Sequence, residues 1–203
     1  MAMNEKETEV KFYVNDLKKI EMRLLELKAH LIQPRVYEVN YRYDLPDGSL
    51  RDSFQVLRLR KDVNTILTYK GPSKNVDGIS TRTEYETTLG DLETAQRIFE
   101  ALGYVQVFVY EKYRAVYDLN DCHIMLDELP YGNFMEIEGT DMSKIRKTAS
   151  QINLDLKLAV KYGYIRLHEK YITKYGLPEC DLTFEVFQDK KPSSEELGVY
   201  AAD

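Results

Sequence analysis

Hydrophobic and polar residues alternate along much of the first two thirds of the chain. In ETEVKFYV, residues 7–14, one face carries Glu7, Glu9 and Lys11 and the other Val10, Phe12 and Val14, the period of two that a β-strand imposes on its side chains. From 35 to 139 similar short segments rich in Tyr, Val, Ile, Leu and Thr follow one another, separated by turn residues such as Pro46-Asp47-Gly48 and Asp77-Gly78. The pattern predicts strands over 5–14, 35–44, 54–62, 64–70, 79–89, 104–118, 121–128 and 133–139. Their close spacing implies antiparallel neighbours.

A period of three and four interrupts the strands. Leu17, Ile20, Leu24, Leu27 and Leu31 predict a helix capped by Asn15 or Asp16; Leu92, Ala95, Phe99 and Leu102 predict another from Asp91 to Gly103. A third starts near Asp141 with Met142, Ile145, Ala149, Ile152 and Leu156, and a further one after 159 ends near Gly176. These amphipathic helices are expected to pack on the sheet. The polar stretch 188–203 is expected to be a disordered tail.

The polar faces of the strands are charged and grouped by sign. Every second residue gives Arg58 and Arg60, Lys70, Arg82 with Glu84 and Glu86, Lys112 and Arg114, Asp127, and Glu136 and Glu138. The other faces hold Leu57, Leu59, Leu67, Tyr69, Ala115, Leu126, Met135 and Ile137. A single pair such as Arg58/Arg60 reads as an ordinary solvated strand face. Repeated like-charge pairs about 7 Å apart repel unless something of opposite sign lies among them. A closed antiparallel sheet would turn all of these faces into one lumen and its apolar faces outward, under the helices.

Composition narrows the chemistry. At 203 residues and 43 % hydrophobic the chain is long enough for a single domain with an ample core. A net charge of −6 leaves no footprint for nucleic acid or an anionic membrane, and no apolar run suggests a spanning or targeting segment, so a cytoplasmic protein is expected. Cys122 and Cys180, and His30, His123 and His168, show no metal-binding or catalytic spacing, and the common nucleotide and hydrolase motifs are missing. The proposed lumen holds seven acidic residues (Glu7, Glu9, Glu84, Glu86, Asp127, Glu136, Glu138) and seven basic ones (Lys11, Arg58, Arg60, Lys70, Arg82, Lys112, Arg114). Carboxylate pairs are hard ligands suited to Mg²⁺ or Mn²⁺, and Arg and Lys arrays suit phosphate oxygens. A metal–triphosphate guest matches both.

ETEVKF, LRLR with its downstream TYKGP, RTEYE, EKYR and LDELPYGNFMEIEG, in that order, resemble the motif set of the CYTH superfamily, the triphosphate tunnel metalloenzymes. The resemblance spans about residues 5–158. It implies an α+β fold, an eight-stranded antiparallel β-barrel forming a tunnel with helices outside. It also implies that Glu7 and Glu9, with Glu136 and Glu138, help hold a divalent metal, with Glu84, Glu86 and Asp127 near it. Lys11, Arg58, Arg60, Lys70, Arg82, Lys112 and Arg114 would grip the triphosphate, and Lys11, Glu9 and Glu136 are the catalytic candidates. Members hydrolyse tripolyphosphate, thiamine triphosphate or nucleotides, or cyclise ATP; the expected order is hydrolase first and cyclase second, with a non-catalytic receptor third. One domain over 1–203 is expected, with the helical segment 159–180 covering a tunnel mouth, forming a homodimer contact or completing the helical layer.

Overall fold

A computed structural model describes residues 6–189 and 191–203. Nine strands and six α-helices succeed one another as β1 (Lys6–Val14), α1 (Leu17–Glu26), β2 (His30–Asp44), α2 (Ser49–Asp52), β3 (Val56–Lys61), β4 (Thr65–Lys70), β5 (Lys74–Val76), β6 (Ile79–Leu89), α3 (Leu92–Ala101), β7 (Val105–Leu119), β8 (Cys122–Leu129), β9 (Gly132–Gly139), α4 (Met142–Gln151), α5 (Tyr164–Tyr175) and α6 (Ser194–Leu197). The start of the first expected strand, Glu5, lies outside the described residues. No described helix is long and apolar enough to cross a membrane.

The strands form one antiparallel sheet in the order β1-β9-β8-β7-β2-β3-β4-β6, and pairing of β1 with β6 closes it into a ring of eight. The short β5 hangs on β6 outside that ring. Register fixes the faces: Lys11 lies opposite Glu136, Lys70 opposite Glu84, and Lys112 opposite Glu38, so the charged faces all meet inside. The apolar faces turn outward. Val10, Phe12, Ile124, Leu126, Met135 and Ile137 pack with Ile20 and Leu24 of α1 and Ile145 and Ala149 of α4. Leu59 and Tyr43 pack with Ala95 and Phe99 of α3.

Some expected boundaries shift, for local reasons. The first helix stops before Leu31, because Lys28 adopts φ 59° and the Ala29 N–H turns back to the Leu24 carbonyl at 2.9 Å, the geometry of a helix C-cap. Leu31 belongs to β2, which begins at His30, and Pro34 beside its register shifts hides the alternation there. The α4 helix likewise stops at Gln151, with Asn153 just beyond it at φ 67°, so Leu156 falls in a separate 3₁₀ turn.

The tail expected to be disordered is ordered from 191 onward. Ser193 caps α6 through a reciprocal capping box, and Leu197 and Val199 are buried. The Ala202 N–H donates to the Tyr13 carbonyl at 3.0 Å, and the Asp203 carboxylate accepts from the Asn15 and Asp16 N–H groups at 2.8 and 3.1 Å. Two apolar residues in a polar stretch suffice because a prepared surface receives them. That surface is aromatic: Tyr13, Tyr110, Phe134 and Tyr131 pack with Tyr164, Leu167, Tyr171, Leu182, Phe187, Leu197 and Val199. Tyr13 follows Glu7, Glu9 and Lys11 in the inward register of β1, so the C-terminal segment covers the β1, β9, β8 and β7 side of one end of the ring.

His168 of α5 is 1 % exposed in this layer, against the Phe108 and Phe187 rings and 3.7 Å from the Cys180 Sγ, with Glu169 and Asp181 as the nearby acids. Burial lowers its pKa from the ordinary value. The unfolded chain therefore binds the proton more readily, and the stability that neutral burial contributes is present above the unfolded histidine pKa and lost as pH falls below it. Urea unfolding between pH 7.5 and 5 is expected to show stability falling with pH, with a flatter slope for His168→Gln. An unchanged slope in that variant would place the loss elsewhere.

Candidate functional site

A cavity of about 830 Å³ occupies the ring, lined by Glu7, Glu9, Lys11, Arg58, Arg60, Lys70, Arg82, Glu84, Glu86, Lys112, Arg114, Glu136 and Glu138. Thirteen of the fourteen expected site residues therefore face one space. The exception is Asp127, which is fully buried behind the wall.

Ring order gives the space two unlike walls. The contiguous strands β6, β1 and β9 carry Glu84 and Glu86, Glu7 and Glu9, and Glu136 and Glu138. Across the ring, the contiguous β7, β2 and β3 carry Lys112 and Arg114, Arg42, and Arg58 and Arg60. The joints β8 and β4 contribute Asp127 and Lys70. The acidic wall also holds Lys11 and Arg82 and the basic wall Glu38, so the two sides differ in which charge is in excess.

On the acidic wall, Glu7 accepts from Lys70 at 2.6 Å and from Arg82 at 2.8 Å. Burial alone would raise the Glu7 pKa, but these two cations hold it well below the usual carboxylate range. Its neighbours behave oppositely: burial and the Glu7 charge push Glu84 up to about 7 although Lys70 lies 3.0 Å away, and burial with Glu7 and Glu9 nearby raises Glu138. Lys11 pairs with Glu136. Burial draws the Lys11 ammonium down to about 7, against the pull of Glu9 and Asp127. Among the described residues Glu9 makes one ion pair, a long one to Arg82 at 3.9 Å. Among the described residues no three His, Cys, Asp or Glu side chains converge into a metal-holding group; the carboxylates line one wall and are matched by Lys and Arg.

Asp127 is a scaffold for the basic wall. Its Oδ1 accepts from Arg114 Nε at 2.6 Å, and its Oδ2 from Lys112 at 3.1 Å and the Tyr164 hydroxyl at 2.7 Å. Burial would raise its pKa, but Arg114 and Lys112 hold it far down. Its inward parity set Asp127 in the lumen, and the family resemblance set it near the metal. Its carboxylate is instead consumed by three donors.

Alternation in EVNYR would have added Glu38, Asn40 and Arg42 of β2 to the inward set; all three sit there, with Lys112 at 3.3 Å from Glu38. Arg42 makes no ion pair among the described residues. Its Nε, like that of Arg58, is buried without a hydrogen-bond partner, whereas the Arg60 Nε lies 3.2 Å from the Asp62 carboxylate, so Arg42 above all has donors to spare for an anion. Burial, with Arg58 and Arg82 adjacent, lowers the Arg42 pKa. Tyr164 carries no motif and comes from beyond the resembling segment. Besides its bond to Asp127, its ring lies under the Lys11 Nζ, 3.8 Å from the centroid.

The CYTH domain family matches residues 5–161. A protein of Methanocaldococcus jannaschii named "Putative adenylate cyclase" is 33 % identical over 135 residues, covering 65 % of this chain and 75 % of that protein. Among solved structures, a protein from Vibrio parahaemolyticus, also named a putative adenylate cyclase, superposes with TM-score 0.72 at 21 % identity, over 81 % of this chain and 98 % of that one. A Hippeastrum protein, named a putative adenylyl cyclase and described as having a dominant triphosphatase activity, superposes with TM-score 0.55 at 18 % identity, over 96 % of this chain and all of that one, 100 %. The family match over most of the chain, the 33 % identical relative and the charged ring together identify this chain as a member of the CYTH domain family.

Proposed function

We propose that the protein is a divalent-metal-dependent triphosphatase, hydrolysing inorganic tripolyphosphate, thiamine triphosphate or a nucleoside triphosphate inside the ring. The observation that carries this reading is the facing pair of walls, with an excess of guanidinium and ammonium groups on one, Arg42 among them without an ion pair among the described residues, and paired carboxylates on the other. Arg42, Arg58, Arg60, Lys112 and Arg114 would take the phosphate oxygens, with Arg able to bind them bidentately. The carboxylates Glu7, Glu9, Glu84, Glu136 and Glu138 are hard oxygen donors, and burial, with neighbouring carboxylates adding to it, raises the pKa values of Glu84 and Glu138, a cost that a divalent cation would offset. Mg²⁺ or Mn²⁺ held there would supply charge neutralisation at the phosphates and an activated water. Lys11, between Glu136 and Tyr164, would donate to a phosphate oxygen where charge develops. The arrangement thus works by positioning and electrostatics, as phosphoryl transfer requires.

The name of the 33 % identical relative favours a second reading, cyclisation of ATP to cyclic AMP and pyrophosphate. That reaction needs the ribose 3′-hydroxyl placed in line with the α-phosphorus and water kept away. Incubation with Mg²⁺ and ATP, tripolyphosphate or thiamine triphosphate, followed by product analysis, separates the readings. Orthophosphate is the expected product; cyclic AMP with pyrophosphate would establish the cyclase instead, and no product from any of the three would leave a receptor.

A further inference from the structure

The loop between β2 and β3 is tightly built. Asp44, buried at the end of β2, accepts from the Leu45 and Leu50 N–H groups through Oδ1 at 2.7 and 2.9 Å, and from the Arg51 N–H through Oδ2 at 2.9 Å. The loop then closes as a helix C-cap, with Gln55 N–H on the Leu50 carbonyl at 2.8 Å and Phe54 N–H on the Arg51 carbonyl at 2.9 Å. Such a cap places one residue in the left-handed region, ordinarily glycine. Here it is Phe54, with φ 58° and a ring 78 % exposed.

A bulky residue in that conformation costs roughly 1–2 kcal/mol, and an exposed ring returns little of it by burial. Neither feature aids folding. Phe54 nevertheless lines the charged cavity, with Gln55 and Val56 beside it and Gly163, the N-cap of α5, with Ile165 and Arg166 of its first turn on the same lining. The Oε1 of Gln55 accepts from the hydroxyl of the outward-facing Tyr69 at 2.9 Å, which fixes the end of the loop against β4. Inward from Phe54 on the same chain come Val56, Arg58 and Arg60. Four residues of extended chain span at most about 14 Å, a length a sugar or a short linker between ring and phosphates can bridge.

We propose that Phe54 is a stacking platform for the aromatic heterocycle of a triphosphate ester, so that the cavity selects a ring-bearing triphosphate over bare tripolyphosphate. The inference rests on the triphosphate reading above and names its substrate class. Ring stacking is tolerant of ring identity, so a nucleobase and the rings of thiamine both qualify by chemistry.

Calorimetric binding and steady-state kinetics with ATP, thiamine triphosphate and inorganic tripolyphosphate test this in wild type, Phe54→Gly and Phe54→Trp. Glycine suits the left-handed backbone, so Phe54→Gly is expected to melt no lower than wild type. It should weaken ATP or thiamine triphosphate, whichever the cavity takes, about tenfold in Kd and KM, and leave tripolyphosphate unchanged. Phe54→Trp should restore the loss. The ester that weakens identifies the source of the ring. Equal effects on esters and tripolyphosphate, or none on either ester, overturn the subsite while sparing the triphosphate reading. Failure of wild type to bind any of the three overturns that reading and the subsite with it.

Discussion

Glu9→Gln is expected to lower triphosphate turnover by roughly 100-fold or more, the several kcal/mol that a Lewis-acid ion contributes to phosphoryl transfer, while thermal stability stays near wild type. Glu9 suits this test better than its neighbour. Glu7 is buried and holds both Lys70 and Arg82, so removing its charge would strand two cations and mix loss of metal with loss of structure. Glu9 makes one long contact to Arg82 at 3.9 Å, and its carboxylate is free for an ion at small cost to the fold. Titration of Mg²⁺ or Mn²⁺ by calorimetry should show weakened binding in the variant. Excess chelator should abolish wild-type turnover, and full activity in chelator would remove the acidic wall from the chemistry.

Asp127→Asn should act in the opposite sense, destabilising the fold by about 3–5 kcal/mol, because it leaves charged partners buried beside a neutral group. Lys112 is 2 % exposed and Asp127 wholly buried, so neither can recover hydration without opening the wall. Arg114 also pairs with Glu136 and would be drawn towards it, disturbing the register of the basic wall against the substrate. Urea unfolding at pH 7 reads the loss directly. A variant as stable as wild type that had lost metal affinity would return Asp127 to the ligand set that the family resemblance suggested.

The two carboxylates differ for a reason that bears on reading such chains. Parity along a strand says which face a residue occupies, and Glu9 and Asp127 were rightly placed inward by the same rule. Parity is silent on depth. Asp127 lies beside Phe134 in register and under Tyr164, at the end of the lumen filled by the aromatic layer, so its inward side chain meets protein. That layer is built by residues beyond 159, where no strand alternation exists to extrapolate.

Most of the strands, the helices with their caps at Asp16, Asp91 and Asp141, and the inward direction of the charged faces follow from the amino-acid order alone, because periods of two and 3.6 are local properties of the backbone. The sign carried by each strand is equally local. What required the folded chain was everything dependent on which strands become neighbours: the ring order that gathers carboxylates on β6, β1 and β9 and faces them with the cations of β7, β2 and β3, the burial that engages Asp127 with three donors, and the docking of 191–203. These rest on contacts between residues far apart in sequence, such as Asp203 with Asn15 and Tyr164 with Asp127. No local pattern encodes such contacts, since each side chain's partner is supplied only when the sheet closes.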